Sequence, residues 1–68
     1  MSKMHGGIYH KDVVAVLRMF GVQSVRQIKA KLFLEGIDLD ETQILEALES
    51  SIKMGKARRA DVPGHFKI

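Results

Sequence analysis

The chain has 68 residues, 46% of them hydrophobic, no cysteine and a net charge of +3. Read from Met1 as one complete small domain, it needs an efficient core at this length, and the lack of cysteine excludes disulfides and thiolate metal sites. No apolar run approaches the ~18 residues of a membrane span, and "MSKMHGGIYHKD" has no apolar leader stretch, so a cytoplasmic location and no membrane partner are expected.

Residues 1–7, with Gly6-Gly7 and few apolar side chains, read as a flexible N-terminal arm ahead of a domain over residues 8–68. From about Tyr9 to Phe20, Val13, Val16, Leu17 and Phe20 recur at i, i+3, i+4, i+7, the spacing of an amphipathic helix, with Gly21 as its stop. The stretch "SVRQ" opens a second helix as a capping box of Ser24 and Gln27; Val25, Ile28 and Leu32 share one face, and Gly36 follows as a stop. At its end Leu32, Phe33 and Leu34 run consecutively, so one should face outward, covered by Ile8 and Tyr9 or forming a dimer or partner contact.

The third helix is the best marked. Asp40 is the expected N-cap, with Gln43 at N3 and Leu39 and Ile44 in the positions of a hydrophobic staple. Ile44, Leu45, Leu48 and Ile52 form the expected buried stripe, and Gly55 closes the helix. The period then changes. Pro63-Gly64 suits the centre of a type II turn, so residues 56–60 and 65–68 read as a short hairpin with Phe66 and Ile68 on one face and His65 and Lys67 on the other. Arg58 and Arg59 are adjacent, so one must share the face of Ala57 and snorkel past the core edge.

Charge is unevenly spread. Asp38, Asp40, Glu41, Glu46 and Glu49 fall in twelve residues without Lys or Arg, a block of −5 on a chain whose remainder carries +8. Such asymmetry bears on partners.

Helix, helix, helix, basic hairpin resembles a winged helix-turn-helix domain over roughly Ile8 to Ile68. "SVRQIKAKL" is similar to the first helix of the helix-turn-helix pair. "DETQILEALESSIKMGKARR" is similar to a recognition helix running into the first strand of a wing, and "KARRADVPGHFKI" to a short wing. The resemblance implies an α+β, mostly α fold and a DNA-binding transcriptional regulator, of the compact kind found in bacteria and phages. One small branch, the ferrous-iron-transport accessory proteins, carries a cysteine cluster; with none here, iron–sulfur binding does not carry over. Winged helices also dock on proteins, and fold alone does not choose.

The candidate contacts to duplex DNA fall in three groups. Lys56, Arg58, Arg59, His65 and Lys67 on the hairpin either lie beside phosphates or only solvate a sheet edge. On helix 3 the expected outward positions are Thr42, Gln43, Glu46, Glu49, Ser50 and Lys53. Thr42, Gln43 and Lys53 would approach the duplex, Gln43 being able to pair with adenine, whereas Glu46 and Glu49 oppose a polyanion. On helix 2, Ser24, Arg26, Gln27, Lys29 and Lys31 occupy the element that crosses the backbone in such domains. The alternative is an adaptor that docks on a protein through acidic helix 3 or the Phe33-Leu34 region. His5, His10 and His65 are far apart and lack a Cys partner, so no metal or cofactor is expected. No nucleophile–base set, phosphate-binding glycine loop or paired-carboxylate pocket is visible, and an enzyme is not expected.

Overall fold

The computed structural model describes residues 5–68. In chain order the elements are α1 (His5–Phe20), β1 (Gln23–Ser24), α2 (Val25–Leu34), α3 (Glu41–Lys53), β2 (Arg58–Arg59) and β3 (His65–Lys67). Of the arm expected over residues 1–7, residues 1–4 lie outside the described residues and 5–7 fall within α1, which begins ahead of Tyr9. The fold is a small, mostly helical domain with one three-stranded antiparallel sheet in the order β1–β3–β2.

Local chemistry accounts for the helix ends. At α2, Ser24 Oγ accepts from the Gln27 N–H at 3.2 Å, and Gln27 Oε1 accepts from the Ser24 N–H at 2.8 Å. At α3, Asp40 Oδ1 and Gln43 Oε1 make the same reciprocal pair at 2.8 and 3.0 Å. Each cap contributes about 1 kcal/mol by satisfying otherwise orphaned N–H groups. Between the two helices, Lys29 Nζ donates to Leu39 O at 2.9 Å and fastens the connection over residues 35–40.

Gly55 ends α3 with φ +74, the Lys56 N–H bonding Ser51 O at 2.8 Å and the Gly55 N–H bonding Ile52 O at 3.0 Å. This is the paired closure that a left-handed residue permits. A Cβ there would meet nothing within 4 Å, so its cost is conformational alone. Gly55→Ala is therefore expected to cost about 1–2 kcal/mol, read as a lower urea midpoint at unchanged m-value. Gly64, with φ +75, serves the hairpin turn, where the His65 N–H bonds Val62 O at 3.1 Å, as the Pro63-Gly64 pair implied.

The core joins Val13, Val16 and Leu17 of α1, Ile28 and Leu32 of α2, Ile44, Ala47 and Leu48 of α3, and Leu39, Ala57 and Phe66. Leu39 and Ile44 enter it together, as the staple requires. α1 packs chiefly on α3. The α3 stripe differs from the expected one. It is Ile44, Ala47, Leu48 and Ser51, while Ile52 is half-buried and Leu45 stands 42% exposed. Ala47 and Ser51 are small side chains one turn apart, and small contacts let helix axes approach closely. Ser51 tolerates full burial because its hydroxyl donates to Ala47 O at 2.8 Å.

Two further expectations shift. Phe20, expected on the buried α1 stripe, is 50% exposed: its ring borders an open hollow beside α2, with Lys31 Nζ 4.7 Å from its centroid. Beyond Leu32, both Phe33 and Leu34 face out rather than one. The side chain of Ile8 lies outside the described residues, and Tyr9 packs against the core.

Candidate functional site

Strand register builds a polar surface. Ser24 pairs with His65 and Arg58 pairs with Lys67, while Gln23 and Arg59 both oppose Phe66. Directly opposed residues share a face, and alternate residues of one strand do too. Ser24, His65, Lys67 and Arg58 therefore form the outer face, and Gln23, Phe66 and Arg59 the inner one. Phe66 is buried; Arg59 follows it only by laying its guanidinium 5.7 Å from the ring centroid and ending in solvent. That is the snorkelling position anticipated for one arginine of the pair.

Arg58 opposite Lys67 is a like-charge cross-strand pair, an arrangement that costs a few tenths to about 1 kcal/mol. Among the described residues no Asp or Glu side chain lies in ion-pair contact with either of them. Arg58 Nε reaches Ile68 O at 3.4 Å, which leaves the guanidinium face open. His65 Nδ1 sits 2.9 Å from Pro63 O. Since a carbonyl only accepts, this contact is a hydrogen bond in the forms that carry a proton on Nδ1. Lys56 is exposed at the start of the hairpin and Lys53 one turn before it.

Helix α3 presents a ridge at spacings of four, three and four: Thr42, Glu46, Glu49 and Lys53, all exposed. The two carboxylates occupy its centre, with Leu45 beside them. Ser50 is half-buried. Gln43 is half-buried too, and its carbonyl oxygen is engaged in the cap, so bidentate pairing with a base requires that cap to open.

The α2 candidates separate. Gln27 is exposed but committed through Oε1 to its cap. Arg26 extends to Glu41 at 3.6 Å, a mostly solvated pair worth under about 1 kcal/mol. Lys29 is held by Leu39 O, and Lys31 lies over Phe20 on the α1 side. Of the thirteen residues singled out in the sequence, the sheet thus brings Ser24, Arg58, His65 and Lys67 together, with Lys56 and Arg59 at the rim. The role of β1 in placing Ser24 beside His65 had no signal in the sequence, because two residues are too few to show alternation.

Among the described residues, no three His, Cys, Asp or Glu side chains stand together as metal ligands would, and no helix is long and apolar enough to cross a membrane. Compared with protein-family models, curated proteins and solved structures, the chain finds no match, and the site stands on its own geometry.

Proposed function

We propose that this chain is a winged helix-turn-helix protein that binds duplex DNA and acts as a small transcriptional regulator, its hairpin leading the contact. The element order α1–β1–α2–α3–β2–β3 and the sheet order β1–β3–β2 support the fold part of the reading. The carrying observation is the like-charge Arg58–Lys67 pair on the outer sheet face, which no Asp or Glu side chain among the described residues offsets. A sequence that retains a local conflict of this kind points to a partner that resolves it, and a phosphate backbone does so by placing anions against both charges. Lys56 extends the same strip, and Arg59, from the inner face, ends in solvent at its rim. On this reading α3 lies alongside the groove, contributing Thr42 at its N-terminal end and Lys53 at its C-terminal end.

Glu46 and Glu49 at the centre of the α3 ridge favour a second reading, in which α3 docks on a basic protein surface around Leu45. Charge reversal separates the two. Glu46→Lys/Glu49→Lys is expected to tighten DNA binding, since it removes repulsion from a polyanion; under the docking reading it abolishes partner capture and leaves DNA uptake negligible. An NMR titration of the isotope-labelled protein with a mixed-sequence duplex at low salt provides the map. Amide shifts at Ser24, Thr42 and residues 56–67 that fade as salt rises are the expected result; no shifts at any salt would sink the DNA reading.

A further inference from the structure

A second surface lies away from the hairpin. α1 and the C-terminal end of α2 enclose an open hollow of about 440 Å³, with Ala15, Phe20, Leu32 and Ile37 among its walls and no residue of α3 or the sheet. Met19, 74% exposed, and Leu34, 84% exposed, also line it. They are the two most exposed large apolar side chains among the described residues. Its charged members are Asp12, Lys31 and Glu35.

We infer that this hollow is the twofold interface of a homodimer, with Leu34 of each copy seated in the hollow of the other. A cavity and a projecting apolar side chain on the same patch are what an isologous contact needs, because each copy supplies both halves. The charges agree. Lys31 in the last turn of α2 and Glu35, its C-cap, stand one turn apart, so a twofold axis between them sets each lysine against the other copy's glutamate. With Asp12 the patch carries a net −1 and lacks the positive excess of the chain, +3 overall, so its repulsion of its own copy is small. Because no basic hairpin residue lines the hollow, both outer sheet faces remain uncovered, and a dimer would carry two of them as half-site binding requires. The inference itself does not depend on what those faces bind.

Sedimentation equilibrium of the whole chain over a wide concentration range tests it. The expected result is a reversible monomer–dimer equilibrium, weakened at least about tenfold by Leu34→Glu, with the unfolding midpoint of the dilute protein unchanged because Leu34 is solvated in the monomer. A charge cycle tests the pairing itself. Lys31→Glu alone and Glu35→Lys alone are each expected to be monomeric, and an equimolar mixture of the two to form a heterodimer, since every cross-contact then unites opposite signs. A wild-type chain that stays monomeric at all concentrations overturns the proposal, as does a Leu34→Glu variant that dimerises undiminished. Failure of the mixture to associate overturns it equally.

Discussion

Replacing Arg58 and Lys67 together by glutamine is expected to abolish most DNA affinity while leaving the fold as stable as before or slightly more so. The two effects have separate origins. Each phosphate contact releases condensed counterions, so losing two should reduce the slope of log K against log salt by roughly 1.8. The affinity loss is then largest at low salt and shrinks as salt rises. In the free protein the two side chains oppose each other directly across β2 and β3, and relieving a like-charge pair returns up to about 1 kcal/mol. Glutamine keeps the first two methylenes of each stem, and neither side chain is buried, so packing is little changed. Fluorescence anisotropy on a labelled duplex across a salt series measures the first effect and urea unfolding the second. An unchanged salt slope removes this face from the binding mechanism. A large loss of stability would instead make the pair structural, through the reach of Arg58 to Ile68 O.

The largest expected stability change comes from Leu48→Ala. Leu48 is fully buried in the core that α3 shares with α1 and α2. Truncation there removes transfer free energy and leaves a cavity, a cost of about 2–5 kcal/mol. A domain of this length has roughly 3–10 kcal/mol in total, so the variant is expected to be partly unfolded at room temperature or to melt ~10–30 °C lower. Leu45→Ala is the matched control. Leu45, one turn earlier at the edge of the buried stripe, is 42% exposed, and its truncation is expected to cost under about 1 kcal/mol. Thermal unfolding followed by circular dichroism checks both. Equal losses at the two positions would mean that α3 is rotated about its axis relative to the core described here.

That contrast bears on what could be read in advance. The periodicity of α3 placed Leu45 and Leu48 on one stripe, because both are leucines within helical spacing of Ile44. Hydrophobicity alone does not reveal that the small Ala47 and Ser51, rather than Leu45, complete the buried face of α3. The same limit explains Phe20. Its spacing from Val13 is right for a buried face, yet what it meets there is Lys31 and the edge of an open hollow rather than the closed core.

Local chemistry determined the rest of the scaffold from the sequence by itself. Ser24 with Gln27, and Asp40 with Gln43, are reciprocal caps that depend on residues three apart, and both form as written. Gly21, Gly36, Gly55 and Gly64 all take the positive φ that turns and helix ends demand. Pro63-Gly64 closes the hairpin for the same reason. The sequence also showed how charge is divided between an acidic helix and a basic tail.

Tertiary structure alone decided the sheet and the surfaces. The pairing of Gln23-Ser24 with β3 joins residues some forty positions apart, and no local pattern encodes it. Through that register Ser24 comes beside His65, and Arg58 comes to face Lys67. The same long-range packing held Lys29 at a backbone carbonyl and laid Lys31 against Phe20. Interactions within one turn of chain carry their own geometry, so sequence suffices for them. Contacts between distant segments depend on which faces the core leaves free, and only the assembled fold settles that.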